Sequence, residues 1–381
     1  MKEKNKKKVV FVGAFKNLTR DGGTGGQTYA CQSLVNSELS ETIDWQKIDS
    51  TMESFPPPNI ARRMFLGAKR FIKFDRTINR DKTQDVFIMA SAGLSFVEKG
   101  TMALWAKWKG HYVAFGPRSG LLLDNYENSS LMRRFIPLVL NKCDVVVCQG
   151  DSWQRLFREQ FGVDQSDLIV IPNWIDIEKY REIREKRKKR KSNDNKVRFL
   201  FMGRLVIYKG IFDLIEAVAS QKENLVDAEF VICGKGSGFE EAKELATRLG
   251  VSSYFDFRGW VVGDEKTKMF VEADVLVLPS HREGMPNIVI EAMGSGIPVI
   301  ATDVGGVSDV VKDSSMGIVL PSKEPKVLGQ ALVSLYRDKN KRDTMGANGF
   351  AHVKEMHDIR ISCQKVGNLF KGDTRQSKDV V

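Results

Sequence analysis

Two glutamates eight positions apart, Glu283 and Glu291, flank the Gly284-Met285-Pro286 turn of the segment HREGMPNIVIEAM. The run before it, ADVLVLPS, has the character of a buried strand, which puts Glu283 in the loop at that strand's carboxyl end. Pro286 suits the first helical position, because the N–H it lacks would be unpaired there anyway. A helix from about Pro286 to Gly294 carries Glu291 on its second turn, roughly 7 Å beyond the start at ~1.5 Å per residue. Between the carboxylates lie the backbone N–H groups of the helix start, whose partial positive charge attracts an anion. A matching ligand is anionic in the middle and hydroxyl-rich at both ends, which is the shape of a nucleotide diphosphate sugar.

The cations fit the same picture. FMGRLVIYKG places Arg204 right after a strand and Lys209 just before the next helix. A fork-shaped guanidinium that binds two oxygens at once and a compact ammonium suit a diphosphate, although either residue alone reads more simply as a solvated loop cation. Three strand ends in this half of the chain carry glycine or serine plus charge: Gly203-Arg204, Gly234-Lys235-Gly236, and Ser280 to Glu283. In open parallel sheets, ligands gather outside the carboxyl ends of the strands. Earlier, RDGGTGGQTYACQSL sets Gly22, Gly23, Gly25 and Gly26 at a helix entrance, where missing side chains let backbone approach a phosphate or sugar. Alone it is a flexible turn, and it lacks the Lys-Ser/Thr ending of a P-loop.

These positions need elements to hold them. Short apolar runs recur (VVFVGAF, DVFIMAS, HYVAFGP, DVVVCQG), each closed by a Gly- or Ser-containing loop and followed by a helix-like stretch. The alternation predicts an α/β fold with parallel sheets and helical crossovers. It stops at the charged stretch REIREKRKKRKSNDN and resumes with VRFLFM, EFVICG, DVLVLP and IPVIAT. The expected organisation is a Rossmann-like domain over residues 1–180, a solvated linker over 181–195, and a second Rossmann-like domain over 196–355. A terminal segment, 356–381, is expected to pack back toward the first domain and end in disorder. With 381 residues, two domains and a substantial core are affordable. The net charge of +11 admits nucleic acid, an anionic membrane or an anionic small molecule as partner. Cys31, Cys143, Cys148, Cys233 and Cys363 have no metal-ligand spacing and read as reduced thiols of a cytoplasmic protein. The basic start lacks a signal-peptide cleavage site, and no run approaches 18 apolar residues, so any membrane association is expected to be peripheral.

Taken together, Gly203-Arg204 with Lys209-Gly210, CGKGSG, FRGWV, ADVLVLPSHREGMPNIVIEAMGSGIPVIATDVGG and GIVL resemble the glycosyltransferase family 4 enzymes, retaining nucleotide-sugar transferases of GT-B architecture with two Rossmann-like domains facing across a cleft. The likeness covers roughly residues 197–350 and is looser in the first domain, through GGTGG and VIPNWID. It implies that Arg204 and Lys209 hold the donor diphosphate as leaving group, that Glu283 contacts sugar hydroxyls, and that Glu291 contacts the ribose. The N–H groups near Met285 to Asn287 would take the distal phosphate. Arg258, Gly259, Trp260 and Val261 would border the base, and Gly25 and Gly26 would roof the donor. Many members place a histidine in a first-domain loop facing the sugar. Here His111 lies at the wrong end of its strand, and Arg118 or Ser119 stands in that place on the acceptor side, while His281 is a second pocket candidate. No Asp-x-Asp occurs, and the cations supply charge a metal supplies elsewhere. The resemblance therefore implies a metal-independent hexosyl- or related transferase with no cofactor beyond its donor, acting on a glycan or lipid-linked acceptor in polysaccharide synthesis.

Two other readings compete. A nucleotide-sugar 2-epimerase of the same architecture would need acid and base groups from the first domain, whose strand-end loops offer little beyond Asp151. A basic nucleic-acid-binding protein would need a recognition module or stacking platform, and none is evident. Finally, in IARRMFLGAKRFIKFDRTINR helical spacing gathers Ile60, Met64, Ala68, Phe71, Ile72 and Ile78 on one side, and Arg62, Lys69, Lys73, Arg76 and Arg80 on the other. An ordinary crossover helix accounts for the apolar side. With LMRRFIPLVL in the same domain, contact with the anionic cytoplasmic leaflet would account for the cations.

Overall fold

The computed structural model describes residues 6–17, 25–52, 58–81, 84–190 and 196–371. Its chain divides into two units, Met1–Asn173 with Ile359–Val381, and Trp174–Asp358.

The first unit runs β1 (Lys7–Gly13), α1 (Gly26–Val35), α2 (Leu39–Thr42), β2 (Ile43–Asp49), α3 (Ile60–Ile78), β3 (Asp85–Ala90), α4 (Leu94–Trp108), β4 (Val113–Pro117), α5 (Leu121–Asn128), α6 (Ser130–Lys142), β5 (Val145–Cys148), α7 (Asp151–Phe161) and β6 (Leu168–Val170). Its strands are parallel in the order β2-β1-β3-β4-β5-β6. Parallel strands are covered on both faces, which is why the runs in β1, β3 and β5 are continuously apolar. One face buries Val10, Val12, Ile88, Phe115 and Val146 with Phe74, Phe96, Ile136 and Phe157 of the helices.

The second unit runs α8 (Ile177–Lys189), β7 (Val197–Met202), α9 (Ile211–Gln221), β8 (Ala228–Cys233), α10 (Phe239–Arg248), β9 (Phe255–Gly259), α11 (Gly263–Glu272), β10 (Val275–Leu278), α12 (Asn287–Gly294), β11 (Val299–Thr302), α13 (Val307–Val310), β12 (Gly317–Leu320), α14 (Pro325–Arg337) and α15 (Lys339–Met356). The parallel order is β12-β11-β10-β7-β8-β9. Strand β7 pairs with both β8 and β10, so connections leave it in opposite directions and a crevice opens at the β7 and β10 carboxyl ends. The last helix, α16 (Ile359–Asn368), returns to the first unit, where Phe370 sets its ring edge-on to Trp45 and Phe87.

The charged stretch corrects the expected linker. Residues 177–189 form a helix of the second unit, with Ile177, Tyr180 and Ile183 buried at one-turn intervals among the charges. Two arginines at its end are not solvated either. Arg187 donates to the carbonyls of Phe270, at 2.8 Å, and Ala273, and Arg190 donates to those of Val271 and Glu272. Together they satisfy the carbonyls left over at the end of α11. Residues 191–195, Gly22 and Gly23 of the glycine loop, and the tail beyond Lys371 lie outside the described residues.

Candidate functional site

The second unit gathers its chemistry on three adjoining loops. After β7 come Gly203 and the exposed Arg204, then a single 3-10 turn, Ile207–Lys209, and Gly210 at the entrance to α9. Gly210 has a φ of 73°, and a Cβ there would sit 1.9 Å from the Pro279 carbonyl oxygen. Only glycine lets the β7 loop meet the β10 loop this closely. Gly305, with a φ of 59°, does the same for the loop after β11, where a Cβ would fall 2.1 Å from the Glu283 carbonyl oxygen. The Gly306 N–H then donates to the Gly284 carbonyl at 2.6 Å.

This interlocking fixes the carboxylates. Glu283 accepts from Lys209 Nζ at 2.5 Å and from Ser280 Oγ at 2.7 Å. Both bonds fall on Oε1, so among the described residues Oε2 is left to accept a hydroxyl. The pair is largely buried, with side-chain exposures of 9% for Glu283 and 17% for Lys209. Away from bulk water such a bond is stronger than on the surface, and the ammonium is held in place. Beside it His281 contacts Asp213 through Nε2 and donates its backbone N–H to the Tyr208 carbonyl at 2.8 Å. Arg204 donates to the Tyr208 hydroxyl, and its guanidinium carbon lies 5.7 Å from that ring's centre.

Helix α12 begins at Asn287, with Pro286 in the capping position just before it. The expected start is thus one residue early, because Pro286 is extended at ψ 109°. Glu291 lies on the second turn and is straddled by Lys266 of α11, whose Nζ is 2.9 Å from Oε1 and 2.8 Å from Oε2. Met285 and Pro286 are buried, and Gly284, Asn287 and Glu291 are half-buried. After β8, Gly234 is buried and Lys235 exposed, and the Gly234 N–H donates to the Gly259 carbonyl at 2.7 Å. Gly259 ends β9, followed by Trp260, 40% exposed, and the buried Val261. The structure therefore brings Arg204, Lys209, Glu283 and the α12 start together at the switch point, with Gly234, Lys235 and the Gly259–Val261 loop along the adjacent strand ends. Tyr208, Ser280, Asp213 and Lys266 complete the site. Ser280 belongs to a strand end that the sequence marked, whereas Tyr208, Asp213 and Lys266 were passed over because a lone tyrosine, aspartate or helix lysine carries no spacing signal.

In the first unit, Gly25 caps α1 and Gly26 opens it, both exposed, and Gln27 donates to the Met89 carbonyl at 2.8 Å. Arg118 follows β4 and donates to the Asn173 side-chain oxygen, which also accepts from Gln149 at 2.8 Å. Ser119 stands at the entrance of α5 and accepts weakly from the Leu121 N–H, at 3.4 Å. His111 is buried at the opposite end of β4, with Nδ1 3.0 Å from the Gln84 carbonyl oxygen. A group absent from the sequence reading is Lys99, on α4. It is 2% exposed and donates to Ser95 Oγ at 3.1 Å, and burial lowers its pKa to about 8. All five cysteines are buried free thiols, and burial raises Cys31 to about 11.

Two parallel six-stranded sheets, each with helices on its faces, define the architecture, the GT-B fold of two Rossmann-like domains. Residues 182–352 match the family model described as "Glycosyl transferases group 1". Over 240 residues the chain is 28% identical to the GDP-mannose-dependent alpha-(1-6)-phosphatidylinositol monomannoside mannosyltransferase of Mycobacterium tuberculosis, covering 60% of this chain and 62% of that one. The chain spans between 45% and 62% of the length of the curated relatives it matches. Among solved structures, sucrose-phosphate synthase of Thermosynechococcus elongatus superposes with a TM-score of 0.77 at 17% identity, over 99% of this chain and 100% of that one. Anabaena HepE in complex with UDP superposes with a TM-score of 0.72 at 18% identity, over 95% and 98%. The structural likenesses give the two-domain fold.

Proposed function

We propose that this chain is a retaining, metal-independent glycosyltransferase that moves a hexose or related sugar from a nucleotide diphosphate donor to a hydroxyl of a glycan or lipid-linked acceptor. The observation that carries this reading is the arrangement around α12. One carboxylate stands before the helix start and one on its second turn, each held by a lysine, with Arg204 and Lys209 at the neighbouring strand end. A diphosphate fits between them, against the positive end of the helix and the two cations. Its developing charge, as the sugar leaves, is stabilised by groups already oriented, where such stabilisers matter most. Glu283 Oε2 takes a sugar hydroxyl and Glu291 the ribose. The UDP complex of HepE and the GDP-mannose dependence of the mycobacterial relative point to the same donor class. Polysaccharide or glycolipid assembly at the cytoplasmic face is the corresponding setting.

The test is incubation with UDP-, GDP- and ADP-sugars without acceptor, followed by proton NMR. Slow donor hydrolysis with the anomeric configuration retained supports a retaining transferase. Formation of a C2 epimer assigns the site to epimerisation, and failure to bind any nucleotide by calorimetry refutes the donor site.

A further inference from the structure

Helix α11 carries two lysines in ion pairs, and the pairs differ in kind. Lys268 reaches Glu272 one turn along the same helix at 3.8 Å, with side-chain exposures of 64% and 37%, an ordinary pair in water that fixes neither partner. Lys266 reaches across to α12. Its Nζ lies 2.9 Å from Oε1 and 2.8 Å from Oε2 of Glu291, and the two side chains are 32% and 13% exposed. A carboxylate so far out of water needs such a partner to stay charged, but one contact would serve, and Lys266 sits astride both oxygens. An ammonium has three N–H groups. Two go to the carboxylate, and among the described residues no oxygen accepts the third. Phe270, one turn further along α11 and buried, has its ring centre 5.7 Å from Nζ, which restrains the ammonium from its own helix. Lys266 stands in the first turn of α11, where the chain leaves the Gly259–Val261 loop.

A lysine N–H beside two glutamate oxygens sets one donor next to acceptors, and neighbouring hydroxyls, each able to give and to take a hydrogen bond, match that set. We propose that Lys266 is a specificity-determining residue of the nucleotide site: with Glu291 it reads the 2′,3′-diol of the ribose, the carboxylate accepting from the hydroxyls and the third ammonium N–H donating to one of their oxygens. This role rests on the donor reading above and adds to it a second reader of the sugar. The pair is neutral as a whole, so Glu291 does not set a bare negative charge near the diphosphate. An analogue that lacks a hydroxyl leaves a charged group without its partner, which a site rejects far more strongly than the loss of an apolar contact.

The experiment is isothermal titration of UDP, GDP and ADP, each with its 2′-deoxy and 3′-deoxy analogues, into the full chain and its variants, with folding checked by circular dichroism. For the ribonucleotide that binds, the parent should prefer it over each deoxy analogue by at least roughly tenfold. Glu291→Ala removes the carboxylate, and a lysine that served only to hold it would then have no effect. The Glu291→Ala protein should nevertheless keep a preference of roughly threefold or more over one of the two analogues, and adding Lys266→Met, which retains the stem and removes its donors, should abolish it. Because the compared nucleotides share the diphosphate, the effect of the lost charge on phosphate binding cancels. Lys268→Met should bind all of them as the parent does. A parent that binds ribo and deoxy forms alike, or a Glu291→Ala protein with no preference left for Lys266→Met to remove, overturns the role of Lys266 and leaves the donor site standing. Failure of the parent to bind any of the three ribonucleotides overturns the donor reading and this role with it.

Discussion

Both units are built on a six-stranded parallel sheet, but they handle charge at their strand ends in opposite ways. In the second unit the buried carboxylates are matched: Lys209 holds Glu283 and Lys266 holds Glu291. In the first unit, by contrast, the buried Lys99 bonds a neutral serine hydroxyl. A matched pair keeps both charges where a ligand will need them, whereas a buried cation without a carboxylate bonded to it stays charged only at a cost. The second unit therefore reads as a site set before the ligand arrives, and the first as one whose charge is in tension with its packing.

The largest expected effect concerns how the second unit is set. Gly210→Ala forces a Cβ into the Pro279 carbonyl at positive φ and should destabilise by more than ~4 kcal/mol, or leave no folded protein. Gly25→Ala in the first unit has open space and an ordinary φ of −69°, and should change stability by less than ~0.5 kcal/mol. Equal effects in urea denaturation would erase the distinction between an interlocked and an open glycine.

Next is the buried lysine. Its folded pKa, about 8, lies below its ordinary 10.5, so between those values the unfolded chain binds more protons and stability rises with pH. Below pH 8 the charged form is carried in both states and the folded state bears the whole penalty. Lys99→Met should accordingly be more stable than the parent at pH 7, by on the order of 3 kcal/mol, with the gap closing toward pH 10. A gap that does not change with pH would mean that Lys99 is not strained by burial.

On the matched side, Lys209→Ala and Arg204→Ala should each slow donor turnover on the order of a hundredfold or more. EDTA should leave the parent active. A strict requirement for magnesium or manganese would show that the diphosphate is neutralised by something other than these cations.

How far the sequence carried differs between the units for the same reason. Glu283, the α12 start and Glu291 lie within one short segment, so local spacing alone exposed them. The central strands were legible as apolar runs, whereas β2, an edge strand reading IDWQKID with charges interspersed, and β9 were not. In α8 the charges masked three apolar residues at one-turn spacing, and only the packing on α11 shows why a run of arginines folds. Lys99, Asn173 and Gln149 come from distant positions that the first sheet brings to one end, and no local pattern marks them. In α3, Phe74 and Ile78 are buried while Ile60, Met64 and Ile72 are exposed. There the pattern was right and its orientation was not, because periodicity says that a helix has an apolar stripe and not which way tertiary packing turns it.

The claim on which the account turns is that the second unit binds a nucleotide diphosphate between Glu283 and Glu291. It is tested most directly by isothermal titration of UDP and GDP into the parent and into Glu291→Ala, with folding checked by circular dichroism. Loss of one charged hydrogen-bonding partner to the ribose should weaken binding by about 1.5 to 3 kcal/mol, roughly ten- to 150-fold. An unchanged affinity in a folded Glu291→Ala protein would contradict the assignment and, with it, the place of the nucleotide along α12.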